Sequence, residues 1–318
     1  MKLPVPFVQL PLSFDAGVLA AEIAALGEQH WLPHPQGFAG NSMLPLVAVD
    51  GDPGNEGFAG AMRPTPYLAG CPYLMQAMDA IGVTLGRTRL MRLSGHSEVT
   101  SHADQGYYWR ERVRVHVPIV TQPTVQFHCG GAMVNMAAGE CWIFDTWRQH
   151  KVLNDNEHSR VHLVIDTVGG DRFWNHIAHG QAPGQPQPGW SPRRVAPDPG
   201  AKPALDFESV NVPEVMSPWE LREHIGFLLT ELPQQPQSPA LQSVLLTFTR
   251  RWHALWSCYG ESRDGWPRYR ALLDQSRAEV VACGAGEIRF RNMLSLLAAM
   301  DACVFSVALA DRGAPSEY

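Results

Sequence analysis

The sequence predicts a mainly β protein, an antiparallel sandwich or barrel with helices before it and a helical domain after it. Three observations carry this. Short runs rich in Val, Ile and Phe recur between residues 87 and 168, with turn residues between them. The stretch Gly180–Pro203 then holds seven Pro and four Gly in 24 residues, a density that excludes helix and central strand. Beyond it, apolar residues recur at helical spacing.

Taken in order, Ala16–Leu26 is a helix with Asp15 as its N-cap, and Tyr73–Ile81 is a second. Strands follow at Arg87–Leu93, Arg112–Val120, Thr124–His128, Glu140–Phe144 and Arg160–Val168. Gln122-Pro123, Gly130-Gly131, Ala138-Gly139 and Asn154-Asp155-Asn156 mark the turns. Ser217-Pro218-Trp219-Glu220 is a capping box with Pro at the first helical position, opening a helix to about Leu232. Ser238-Pro239 opens another, with Leu241, Val244, Leu245, Phe248, Trp252 and Leu255 on one stripe. Two more helices are expected near Pro267–Cys283 and Ile288–Leu309. The expected organisation is therefore a β domain over 1–179, a linker over 180–203 and a helical domain over 204–318.

Composition bounds the function. A chain of 318 residues corresponds to about two ordinary domains. Lys and Arg number 25 against 31 Asp and Glu, a net charge of −6, which argues against nucleic acid or an anionic membrane surface as partner. No apolar run reaches the roughly 18 residues of a membrane span, and the first residues carry no leader-like pattern. The six Cys form no CxxC pair, as expected of reduced thiols in a cytoplasmic protein.

Chemistry-bearing residues appear as two His-x-acid pairs, His96-Ser97-Glu98 and His102-Ala103-Asp104. With 13 His and 31 acids in 318 residues, about one such pair arises by chance, so a lone pair is weak evidence. On a strand, residues i and i+2 point to one face. A distant His would complete a two-His-one-carboxylate facial triad with open positions for substrate and O2.

The context of the second pair sharpens the reading. Gly139-Glu140-Cys141-Trp142-Ile143-Phe144-Asp145 precedes Thr146-Trp147-Arg148-Gln149-His150, and Arg160-Val161-His162-Leu163-Val164-Ile165-Asp166 follows. This arrangement resembles the aspartyl/asparaginyl β-hydroxylase family of Fe(II)/2-oxoglutarate oxygenases, most closely its bacterial proline cis-hydroxylase branch. The resemblance is strongest over Arg87–Asp166. It implies a double-stranded β-helix (jelly-roll) core, with Fe(II), 2-oxoglutarate and O2 as cofactor and cosubstrates. It also implies that His102, Asp104 and His150 ligate the iron and that Arg160 takes the distal carboxylate of 2-oxoglutarate. Arg112-Val113-Arg114-Val115-His116 matches an R-x-R-x-H strand of the family, so Arg114 and His116 are expected near the inner carboxylate. Asp104 departs from the mammalian members, which have only two His, and agrees with the proline hydroxylases. The same pattern leaves His96-Ser97-Glu98 outside the site.

Independently of the family, period 2 puts Arg110, Arg112, Arg114 and His116 on one face of an expected strand, a basic wall suited to carboxylates. Arg92 is a further candidate for a substrate carboxylate. Tyr107, Tyr108 and Trp109 are expected in a loop that lids the substrate, and Trp147 and Arg148 flank His150. Glu140 is expected to be a turn residue, and His128, His158 and His162 to be structural. The expected activity is hydroxylation of an unactivated C–H bond in a free amino acid or similar small carboxylate. Its rivals are hydroxylation of Asp, Asn or another residue in a peptide or protein, desaturation or epimerisation at the same site, and a non-catalytic cupin-like metal- or ligand-binding module. A homodimer through the helical domain is an open expectation.

Overall fold

The computed structural model describes residues 1–35, 37–185, 187–233 and 238–310. Pro186 of the expected linker and the last eight residues lie outside the described ones. In chain order the elements begin β1 (Phe7–Phe14), α1 (Ala16–Ala25), β2 (Leu32–Pro33), β3 (Asn41–Val49), β4 (Met62–Pro64) and α2 (Pro72–Ile81). There follow β5 (Thr84–Leu93), β6 (Ser97–His102), α3 (Tyr107–Glu111), β7 (Val113–Val120), β8 (Gln126–Cys129) and β9 (Ala132–Val134). Next come β10 (Glu140–Phe144), β11 (His150–Asn154), β12 (Arg160–Thr167), α4 (Asp171–Ala178), β13 (Arg193–Val195) and β14 (Asp206–Phe207). The chain closes with α5 (Pro218–Glu231), α6 (Ser238–Tyr259), α7 (Trp266–Ala282) and α8 (Leu296–Met300). The chain forms two compact units, one of residues 1–102 and 111–209, the other of 103–110 and 210–318.

The first unit contains both sheets. The larger runs β13-β1-β10-β7-β12-β5-β3-β2, with β14 beside β5 and β4 beside β3; the smaller runs β6-β11-β8-β9. Strand alternation divides the side chains of the large sheet cleanly. Val115, Val117, Ile143, Leu163 and Ile165 join Leu19, Leu74 and Phe173 of the helices in one core. Trp142 and Phe144, on the other face, meet Phe127 and Val152 of the small sheet in a second core. The residues that alternate with the first core along β7 and β12 therefore include Arg114, His116, Arg160, His162 and Asp166.

Local signals fix the helices as expected. Asp15 accepts from Gly17 N and Val18 N, both at 3.2 Å, to start α1. Glu22 of α1 accepts from Tyr73 N (2.7 Å) and Leu74 N (2.9 Å), so it caps α2 from a neighbouring helix. Gly82 ends α2 at φ +73°, a left-handed conformation that costs a glycine little. The Gly180–Pro203 stretch is laid along this unit. It contributes β13, an edge strand parallel to β1, and Asp198 exchanges two hydrogen bonds with Gln76 at 2.9 Å. An edge position suits a proline-rich stretch, since only one side of it must donate to a ladder.

Two expectations are corrected. The strand expected to include Arg110 and Arg112 starts at Val113, and residues 107–111 are helical instead. The helix expected over Ile288–Leu309 is confined to α8 and one π turn over Asp301–Phe305. The cause is local: Asn292 Oδ1 accepts from Leu294 N, Met293 sits at φ +68°, and Ser295 caps α8 by accepting from Ala298 N at 3.1 Å. In the second unit Leu221, Leu228, Leu245, Phe248, Trp252, Tyr269 and Leu273 are buried, and Trp252 Nε1 donates to Met216 O at 2.8 Å. No helix of the described residues is long and apolar enough to cross a membrane. None of the six cysteines forms a disulfide, and burial pushes the Cys71 and Cys129 thiols up to about 12.

Candidate metal and cosubstrate site

The small sheet brings two of the expected ligands together. In the antiparallel pairing of β6 with β11, His102 and His150 are direct cross-strand partners. Such partners have Cβ atoms about 5 Å apart, and here the ring centroids are 4.2 Å apart. Each ring is oriented by the chain two residues earlier. His102 Nδ1 lies 2.8 Å from Thr100 O, and His150 Nδ1 lies 2.9 Å from Arg148 O. A carbonyl only accepts, so both Nδ1 atoms carry a proton, and in the neutral ring the lone pair is on Nε2. This is the tautomer a metal-ligating histidine needs, with its second nitrogen held by a carbonyl.

Asp104 is buried, and one ligand atom each from His102, Asp104 and His150 lie within 4.8 Å of one another. Two imidazoles and one carboxylate, with the imidazole lone pairs on the ligating nitrogens, fit a divalent iron. Phe144 meets the His150 ring edge-on at 4.8 Å, and Phe127 stacks on it at 6.4 Å. The His150 ring is thus set in an aromatic wall.

The turn that delivers His150 is built by Asp145, whose carboxylate accepts from Trp147 N at 3.0 Å and Arg148 Nε at 2.8 Å. Burial raises the Asp145 carboxyl against the opposing pull of Arg148. Glu140 accepts from Trp142 Nε1 and Ala137 N, both at 2.8 Å, which makes it a turn residue.

On the large sheet, Arg160 and His116 are both buried beside the inter-sheet core. His116 meets Phe127 and Phe144, each at 5.4 Å. Burial, with Arg160 and Arg114 nearby, holds the His116 ring well below its ordinary value, so it is neutral. Arg114 Nε lies 3.0 Å from Asp166 Oδ1, and Arg87 Nε lies 3.6 Å from Asp166 Oδ2. One buried carboxylate therefore holds two arginines in place. Neither Arg87 nor Asp166 is singled out by motif. Parity is the signal that would have found Asp166 and His162, since both lie an even number of residues from Arg160 on one strand.

The remaining candidates lie elsewhere. Arg92 is on the opposite face of β5 from Leu93; it pairs with Glu28 at 2.7 Å and stacks over Trp31 at 4.2 Å. Arg112 makes a buried bidentate pair with Glu208, with Nε and Nη2 both at 3.0 Å. Arg110 stacks over Phe227 at 4.0 Å and lies 3.7 Å from Glu223. Tyr108 and Trp109 are fully buried and pack edge-on at 4.9 Å, and Tyr107 Oη donates to Glu220 at 2.6 Å. These three aromatics form a helical turn rather than an exposed loop. Trp147 is buried beside the Asp145 turn.

The His-Asp-His group is a donor set that fits a non-haem iron site. Residues 58–169 match the model of the family "Aspartyl/Asparaginyl beta-hydroxylase". No curated protein sequence matches the chain. Among solved structures, a prolyl-4-hydroxylase from Pseudomonas putida is 16% identical, with 52% of this chain and 92% of that one aligned at a TM-score of 0.36. An oxidoreductase of the 2OG-Fe(II) oxygenase family from Burkholderia pseudomallei is also 16% identical, with 52% and 87% aligned at 0.36. HygX from Streptomyces hygroscopicus, solved with nickel, 2-oxoglutarate and hygromycin B, is 12% identical, with 52% and 84% aligned at 0.35.

Proposed function

We propose that this protein hydroxylates a C–H bond of a free amino acid or similar small carboxylate, with His102, Asp104 and His150 as the iron ligands. The observation that carries the reading is the pair of Nδ1–carbonyl hydrogen bonds, which presents the Nε2 lone pairs of His102 and His150 together with a buried Asp104. Bound together, Fe(II) and 2-oxoglutarate activate O2 and supply the oxidising power for hydroxylation.

The chain's own residues do the binding and shielding. Arg160 takes the distal carboxylate of 2-oxoglutarate as a charge-assisted pair. Its burial favours this, because a buried guanidinium gains most from an anion. His116 and Arg114 line the same face toward the inner carboxylate, with Asp166 fixing Arg114. Phe127 and Phe144 keep water from His150. Trp147, close to His150 along the chain, is assigned to the substrate side. Arg92, Arg110 and Arg112 already lie against Glu28, Glu223 and Glu208, and Tyr108 and Trp109 are fully buried; these five are left out of the substrate site.

The strand order supports a double-stranded β-helix as the scaffold. From β5 to β12, the strands that fall in the large sheet are β5, β7, β10 and β12, and those in the small sheet are β6, β8, β9 and β11. We assign the chemistry to residues 1–179 together with this scaffold and a supporting role to 204–318. The test is turnover: protein, Fe(II), 2-oxoglutarate and ascorbate, screened with free amino acids against short Asp- and Asn-containing peptides. The expected result is succinate release coupled to gain of one oxygen atom by a free amino acid. Selective turnover of peptides overturns the substrate class, and no succinate with any substrate overturns the activity.

A further inference from the structure

Arg160 and His162 lie two residues apart on the same face of β12. Arg160 Nη2 is 2.8 Å from His162 Nδ1. A guanidinium has donors only, so Nδ1 accepts and the single imidazole proton of His162 sits on Nε2. His116 Nδ1 is 3.3 Å from that same nitrogen. Two lone pairs at that distance repel, so the proton of His116 sits on its Nδ1 and points at His162. Both rings are buried, and burial with the nearby Arg160 holds both well below the ordinary histidine value. Neutral rings are what this pattern of donors and acceptors requires.

No carboxylate pairs with Arg160 among the described residues, and its Nε makes no hydrogen bond there. The anchor that this guanidinium finds is thus a neutral imidazole. A carboxylate in its place would neutralise the arginine and compete with an incoming anion. An imidazole lone pair fixes the plane of the fork by taking one of five N–H groups, and it leaves the positive charge intact. A leucine or phenylalanine there would leave the guanidinium free to rotate.

We propose that His162 is a positioning residue: its Nδ1 lone pair aims the Arg160 fork and keeps it cationic for the distal carboxylate of the cosubstrate. This rests on the assignment of Arg160 to that carboxylate. The two are separated by comparing 2-oxoglutarate with 2-oxopentanoate, which lacks the distal carboxylate, by calorimetric titration of the Mn(II)-loaded protein. Arg160→Gln should abolish the preference for 2-oxoglutarate; if the preference survives, the assignment of Arg160 falls. His162→Leu should weaken 2-oxoglutarate about tenfold, the scale of one charge-assisted hydrogen bond, and leave 2-oxopentanoate within about twofold. His162→Asn, which returns an acceptor oxygen close to the Nδ1 position, should restore most of the loss. If Arg160→Gln removes the preference while His162→Leu keeps it, or if His162→Leu weakens both ligands equally, the positioning role alone is refuted. Should the leucine variant not fold, 15N NMR of histidine-labelled wild type decides. The expected tautomers are Nε2–H at His162 and Nδ1–H at His116, and Nδ1–H at His162 overturns the proposal.

Discussion

Hydrogen-bonding capacity decides which residues here can do chemistry. Because the carbonyls of Thr100 and Arg148 accept from His102 and His150, the two rings are held in the orientation that the proposed metal site requires. His102→Ala and His150→Ala should each lower Mn(II) affinity at least about tenfold, measured by calorimetry, with little change in the far-ultraviolet circular dichroism. Full metal binding in either variant would remove that residue from the ligand set. The His102-Ala103-Asp104 pair was legible because its spacing is short-range, whereas His150, which the structure groups with it, was expected only from the family resemblance. The arginines were harder. Arg92, Arg110 and Arg112 carry the same charge as Arg160, yet Glu28, Glu223 and Glu208 lie against them, and those partners are 64 to 113 residues away or on another element. Sequence pattern does not report which cation is already neutralised. His162 was read as structural, and only its distance to Arg160 gives it a second role.

At the scale of elements, the strands that alternate apolar residues were readable and the others were not. β7, β10 and β12 each bury a Val, Ile or Leu row against helices, so their pattern survives. β1 and β3 contain Pro11 and Pro45, which demote a run from strand to loop when read alone. β6 (SEVTSH) and β11 (HKVLN) are mostly polar, yet they carry the two histidines proposed as metal ligands; a strand that presents polar groups on one face cannot also show an apolar period there. What sets β11 is the turn before it. Asp145 accepts from Trp147 N and Arg148 Nε, and its own N–H donates to Pro6 O at 3.0 Å. Asp145→Ala strands these donors and should cost about 1.5–3 kcal/mol, the range for hydrogen bonds involving a charged group, read from urea unfolding. It should also weaken Mn(II) binding, since Arg148 O, which orients His150, lies in the same turn. A stability loss below about 0.5 kcal/mol would show that water replaces the carboxylate there.

At the scale of the whole molecule, each unit contains a buried histidine that refuses a proton, and this couples stability to pH. In the first unit burial and Arg160 hold His162 well below the ordinary value. In the second, burial and Arg110 pull His224 down to about 3. An unfolded histidine titrates near 6.5. Between that value and the folded one, the unfolded chain binds a proton that the folded chain does not. Stability therefore falls as pH drops through about 6.5, and each ring contributes a slope that approaches about 1.4 kcal/mol per pH unit. Between pH 7 and 5.5 the expected loss is about 1 kcal/mol per ring. Urea titrations at the two pH values should show the loss in wild type. His162→Asn and His224→Gln should each remove about one ring's share of it, whatever they do to stability at pH 7, because a side-chain amide does not titrate. A variant that keeps the wild-type pH dependence would mean that its histidine is protonated in the folded protein. For His162 that outcome would also contradict the acceptor role of Nδ1 toward Arg160, so the pH series and the ligand titrations test one arrangement from two directions.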